Sequence, residues 1–206
     1  MKKIFLSILA LLTLSLGFSG QGLATPITGL YYESSPQSWV GGGATVLVTP
    51  SDDFDFIASR NFDSGMSFAV NDFSENPHFW STRWWYLDFS APFNQLLQVG
   101  HYSNATRYPF QDFDDPGLNF SGNGRGNNQL SGYFDVWEVS YGPNGQILAF
   151  AADFTQFDEN FESGWNKGGL RYNSAIPLFS VPEPHSSALL AIGIVGLIAT
   201  SRDKRT

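Results

Sequence analysis

The chain has 206 residues, 16% of them aromatic and 15% charged, with 21 Gly, 11 Pro and no cysteine; that excludes disulfides, thiolate zinc sites and a cysteine nucleophile, and favours an all-β protein over a helical one. The formal net charge of −8 understates the bias of the interior, because Lys2, Lys3, Arg202, Lys204 and Arg205 lie in the terminal segments: from Thr25 to Val181 there are 6 basic and 17 acidic residues, a net charge of −11. A body this acidic repels nucleic acid and anionic lipid and leaves neutral polymers or divalent cations as fitting partners.

Lys2-Lys3, the apolar run "IFLSILALLTLSLGF" and the small residues up to Ala24 make a secretory signal peptide over residues 1–24. Signal peptidase is therefore expected to cut after Ala24. Residues 25–180 then read as one β domain. "ATVLVTP", after Gly41-Gly42-Gly43, and "FDFIAS" are short strand candidates. "MSFAVND" alternates Met66, Phe68 and Val70 against polar neighbours, a period of two. "RWWYLDFS" is rich in aromatic, β-forming residues. Trp84 and Trp85 are successive strand residues and point to opposite faces, so one of them is a candidate to stack on a sugar ring.

"QLLQVGHY" and "GLNFSG" continue the strand series. Between them "QDFDDPG" places Asp112, Asp114 and Asp115 ahead of Pro116-Gly117. Carboxylate oxygens on a turning loop suit a hard cation, which makes this a candidate Ca²⁺ loop. It lacks the distant Glu of an EF-hand, and aspartates also shape turns by bonding their own backbone. No other cofactor is expected.

"GYFDVWEVSY" puts Tyr133, Asp135, Trp137, Val139 and Tyr141 on one face and Phe134, Val136 and Glu138 on the other. "GPNGQ" follows, with Asn144-Gly145 between two β-like runs, the clearest hairpin in the chain. In the returning run "ILAFAADFTQF", Asp153 interrupts an apolar stretch and reads as an inward carboxylate, with Arg171 of "GLRYNSAIPL" as its ion-pair partner. Pro177 closes that last strand. A short helix near 160–165 is the one helical alternative in the body. About nine or ten short strands with turn signals between them predict a single β-sandwich, jelly-roll-like, flanked by an N-terminal signal helix and a C-terminal transmembrane helix.

Catalytic patterns are thin. There is no Gly-x-Ser-x-Gly elbow and no αβ alternation to carry one. The three histidines, His78, His101 and His185, are too few and too scattered for a metal site. Asp135, Glu138 and Asp153 could supply a glycosidase carboxylate pair, but Asp135 and Glu138 are expected on opposite faces. "GNGRGNN" leads into a strand, so it lacks the helix N-terminus that a phosphate cradle needs.

The order "SFAVND", "WWYLDFSAP", "ATRYPFQ", "PGLNFSGNGRGNNQLSGYFDVWEV", "ILAFAADFTQF" and "GLRYNS", from about Tyr31 to Ser174, resembles a secreted bacterial β-domain family of no established function. In that family a Cys often follows the Gly-Arg-Gly and another lies in the "ADFxQ" segment. Asn127 and Asp158 hold those places here, and the resemblance implies that a disulfide has been lost.

The chain closes on Pro182-Glu183-Pro184, an uncharged run to Ser201 and a basic stub of Arg202, Lys204 and Arg205. The two prolines hold the motif extended. The uncharged run is about 27 Å long as a helix, close to a hydrocarbon core of about 30 Å. Basic residues after it stop transfer with the body outside. This ordered trio over residues 181–206 resembles the PEP-CTERM sorting signal of bacteria. The resemblance implies recognition by an exosortase, cutting near the motif, and release or transfer to the outside where extracellular polysaccharide is made. The expected function is therefore an exported, exosortase-processed, non-catalytic surface or matrix protein, anchored to the membrane only transiently. A carbohydrate-binding module for exopolysaccharide is the alternative, and a carboxylate-dependent glycoside hydrolase the second.

Overall fold

A computed structural model describes residues 25–75 and 81–178. The signal segment, cleavage at Ala24, the Pro182-Glu183-Pro184 motif, the terminal span and the basic residues Arg202, Lys204 and Arg205 lie outside the described residues, as do His78, Trp80 and His185.

The described chain is all-β. Its ten strands are β1 (Ile27–Ser34), β2 (Thr45–Val48), β3 (Asp55–Arg60), β4 (Met66–Asn71), β5 (Trp84–Ser90), β6 (Gly100–Arg107), β7 (Gly117–Gly122), β8 (Leu130–Tyr141), β9 (Ile147–Asp158) and β10 (Trp165–Ser174). They form one continuous sheet in the order β2-β1-β10-β9-β8-β6-β7-β5-β4-β3. Neighbours are antiparallel except β6 and β7, which run parallel over a short register at Thr106 and Arg107. The expectation of strands stacked in layers is met by a different route, since one sheet curls until its halves face each other.

Aromatic side chains fill the space between the halves. Phe68 of β4 stacks on Phe150 of β9 with centroids 4.9 Å apart. Phe89 of β5 meets Phe134, Phe150 and Phe154. At the other end Tyr32 of β1 packs on Phe120 and Trp85. Met66, Phe68 and Val70 are all buried, as the period of two in that segment requires. Each buried Phe removes enough apolar surface to contribute about 2–3 kcal/mol, which is how a chain without disulfides holds together.

Three expectations need correction. β1 was not among the predicted strands, yet it lies inside the sheet between β2 and β10; Gly29 sits beside a register shift that breaks its alternation. The predicted strand at "QLLQVGHY" starts later, at Gly100, and β10 starts earlier, at Trp165. The stretch near 160–165 is turn, not helix: Gly164 N–H donates to the Phe161 carbonyl and β10 begins at once.

The hairpin of β8 and β9 forms as predicted, but with a bulge. Val136 pairs with Ala152 and Glu138 with Ala151, so Trp137 is the extra residue. The bulge reverses the phase of β8. Val139 and Tyr141 turn to the core, and Glu138 joins Asp135 on the outer face, where the sequence pattern had separated them.

Candidate functional site

The outer face of the half-sheet β1-β10-β9-β8-β6 is the most chemically furnished surface of the described residues. The register builds it in rows. One row runs Tyr31, Gly169, Asp153, Asp135 and His101 across five strands. The next runs Glu33, Lys167, Thr155 and Tyr133. Trp137 stands beside the first row on the bulge, half exposed at 50%, and Tyr133 is 39% exposed.

These side chains are held rather than loose. Trp137 Nε1–H donates to Asp153 Oδ2 at 2.8 Å. Arg171 Nη2 donates to Asp153 Oδ1 at 2.8 Å. The ion pair therefore connects the two residues singled out in the sequence, with burial the reverse of the expectation. The Arg171 side chain is 3% exposed and that of Asp153 is 45% exposed. Arg171 lies on the outer face under the segment after β10, where its other nitrogens donate to the carbonyls of Pro177, Ala152 and Leu170. An arginine so satisfied is an anchor for Asp153, and Asp153 in turn orients the indole.

His101 Nδ1 and Asp135 Oδ1 are 2.7 Å apart, and the His101 ring lies 5.8 Å from that of Tyr133. The Tyr31 hydroxyl bonds to Glu33, and burial followed by the charge of Glu33 raises its pKa. Two shallow hollows flank the rows. One, of about 410 Å³, is bounded by Tyr31, Glu33, Asp153, Lys167 and Leu178. The other, of about 470 Å³, is bounded by His101, Asn104, Tyr133, Phe157 and Glu162. Gly169 leaves the floor of the first open, since a Cβ there would come within 2.6 Å of Asp153 Oδ1.

The other residues singled out by sequence lie elsewhere. Trp85 is 3% exposed and belongs to the core, against Tyr32 and Phe54. Trp84 faces out, half-buried against Tyr86, its ring 5.4 Å away. Neither is part of the furnished face. Asp112 and Asp115 are joined by a turn hydrogen bond between the Asp115 N–H and the Asp112 main-chain carbonyl. Among the described residues no group of three or more His, Cys, Asp or Glu side chains is gathered as a metal would require.

Asp135, Glu138 and Asp153 do share a face. Asp135 and Asp153 are cross-strand neighbours, whereas Glu138 accepts from Ser174 Oγ and Ala175 N–H. Each carboxylate is bound to a neighbour that fixes its orientation, so the set offers fixed acceptors beside exposed rings.

A second polar cluster lies outside β5 and β7. Asp88 accepts from Asn119 Nδ2 at 2.9 Å, and Asp63 accepts from Gly65 N–H and Gln111 Nε2. Burial raises the pKa of Asp88 in spite of the hydrogen bonds from Ser67 and Asn119, and the nearby Asp63 charge adds to the rise. Burial, then Asp63 and Asp88, push the Tyr108 phenol up as well.

Comparison with protein-family models, with curated proteins and with solved structures found no match. Of the furnished face, sequence reading had placed Tyr133, Asp135 and Trp137 together on one side of β8, paired Asp153 with Arg171, and noted His101 by itself. It missed Tyr31 and the paired glycines of β10, whose only signal was "YYE" ahead of a strand and "KGG" opening one.

Proposed function

We propose that this is an exported, non-catalytic surface or matrix protein, delivered by its signal segment and released by an exosortase acting at Pro182-Glu183-Pro184. The β domain is its mature body, with one curled sheet supplying both layers.

The observation that carries this reading is the pairing of Ile27 with Ser174. The chain enters β1 and leaves β10 at neighbouring points of the sheet. Leader and tail thus attach at one place, and either can be cut without parting a strand from its neighbours. The ordered trio at the C-terminus supplies the reason for a cut there. Fixed carboxylates and a body charge of −11 suit a soluble extracellular module.

Mass spectrometry of the protein from culture medium or the cell surface tests the reading. The expected chain starts at Thr25 and lacks Arg202, Lys204 and Arg205. An extracellular chain that retains Arg205, or a chain confined to the cytosol with residues 1–24 attached, overturns it.

A further inference from the structure

We propose that the outer face of β1, β10, β9 and β8 is a binding site for neutral polysaccharide, with Trp137 and Tyr133 as stacking platforms and Asp135, Asp153 and Glu33 as hydrogen-bond acceptors for sugar hydroxyls. The site deepens the reading above by naming a partner class, and it rests on that reading only in that such polymers are met outside the cell.

Three observations converge. The first is ring presentation. Trp137 is the bulged residue of β8 and half exposed, and its indole nitrogen is tied to Asp153 at 2.8 Å. A ring that is exposed and yet held has already lost the rotamer freedom that binding would otherwise cost. Tyr133 presents a second ring on the same strand, backed by His101. Aromatic rings with one polar handle suit ligands that have an apolar face and a hydroxylated rim, which describes a pyranose.

The second is charge. The domain is strongly acidic, but on this face Asp153 is paired with Arg171 and Glu33 stands opposite Lys167 in the β1–β10 register, while Asp135 Oδ1 lies 2.7 Å from His101 Nδ1. With Arg171 beside Asp153 and Lys167 opposite Glu33, these carboxylates do not offer a divalent cation an unopposed group of charges. An anionic polymer would meet Glu162 on the rim and the field of the whole molecule. Hydroxyl groups without charge fit a surface of oriented acceptors.

The third is shape. The rows lie in the interior of the sheet, where backbone groups are paired, so a peptide has no free edge to extend. From β1 to β8 the face spans three strand spacings, about 14 Å. Hollows of about 410 and 470 Å³ lie on either side of the Asp135–Asp153 pair. That extent suits several sugar units in a row better than a single ring.

Affinity electrophoresis of the full exported protein tests the site. Gels would contain hydroxyethylcellulose, dextran or galactomannan as neutral probes, with alginate as the anionic control. The expected result is retardation by at least one neutral polymer, weakened at least tenfold in Trp137→Ala and Tyr133→Ala and unchanged in Trp39→Ala, whose ring is exposed elsewhere. No retardation by any neutral polymer, retardation by alginate alone, or equal retardation of wild type and both face variants overturns the proposal. Trp137→Phe keeps a ring and drops the tie to Asp153; intermediate retardation supports the site, and a result identical to Trp39→Ala overturns the role of the held indole. If Trp137→Ala fails to fold, Tyr133→Ala decides. Binding is measured in vitro, so its absence counts against the face, whereas a retained tail or leader counts against export.

Discussion

At the residue scale the fold is secured by a few buried polar groups that are fully matched. Asp158 is the clearest. Its carboxylate accepts from Ser38 Oγ, Val40 N–H, Asn127 Nδ2, Gln156 Nε2 and Asn166 Nδ2, and it is buried. Five donors from four separate segments converge on it, binding the loop after β1 to β9 and β10. Asn127 Nδ2 lies 2.8 Å from Asp158 Oδ1, so the two positions where the family resemblance implies a lost disulfide are in direct contact here. Asp158→Ala strands Val40 N–H, Asn127 Nδ2 and Asn166 Nδ2, while Ser38 Oγ keeps Asn166 Oδ1 and Gln156 Nε2 keeps the Phe120 carbonyl; it should cost at least ~3 kcal/mol, read as a drop in the urea midpoint. Asp88 acts in the opposite sense. Its folded pKa is raised above the ordinary carboxylate value by burial first, with Asp63 adding. The folded chain therefore binds a proton more readily than the unfolded chain, and stability falls as pH climbs from the ordinary carboxylate range through the raised value. Tyr108, also facing this pair, titrates far above that window. Asp88→Asn should flatten the slope of stability against pH in that window, measured by urea unfolding at stepped pH. An unchanged slope would place its origin elsewhere.

At the scale of elements, close strand contact depends on what side chains are missing. Gly132 of β8 faces the carbonyl of Thr155, and a Cβ built on it would lie 2.2 Å from that oxygen and 3.2 Å from Gln156 Cα. Both neighbours are backbone, so β8 and β9 would have to part. Gly132→Ala should cost about 1–3 kcal/mol, with the urea midpoint lowered and the slope of the transition kept. The same hairpin shows how far sequence reading reaches. Asn144-Gly145 marked the turn, and Gly145 takes φ +75° there, a backbone shape that glycine adopts freely. Phe134 and Val136 were placed on one face and are buried together. The bulge at Trp137 had no local signature, because two-against-one pairing is decided by the partner strand, and with it went the faces of Glu138, Val139 and Tyr141. β1 escaped for a related reason: "ITGLYYES" gains its β character from β2 and β10 on either side, not from alternation. The outer face was legible in pieces, as the Tyr133, Asp135 and Trp137 side of β8 and the Asp153–Arg171 pair, since the rows that unite Tyr31, Asp153, Asp135 and His101 exist only once five strands are in register.

At the scale of the whole molecule, the described residues form one core within the β domain. Its buried apolar members run from Leu30 to Leu170, and the half-sheets meet through rings that all lie between those limits. Hydrophobic stabilisation scales with the area a group removes from water on folding, and the described residues already gather such a core between Leu30 and Leu170. Entry and exit are adjacent at Ile27 and Ser174, so shortening both ends leaves the register of β1 and β10 untouched. Leu178 and Pro177 must stay, because the Pro177 carbonyl accepts from Arg171 Nε and Leu178 packs beside Gly29. A chain of residues 25–180 should therefore unfold in one cooperative transition, with a melting temperature within about 2 °C of that of the longest soluble form and the same near-ultraviolet circular dichroism. Cutting further, to residue 174, removes the Pro177 carbonyl and leaves the buried Arg171 guanidinium short of an acceptor. That shorter chain should lose about 1–3 kcal/mol, and equal stability of the two would mean that the segment after β10 is not what satisfies the arginine.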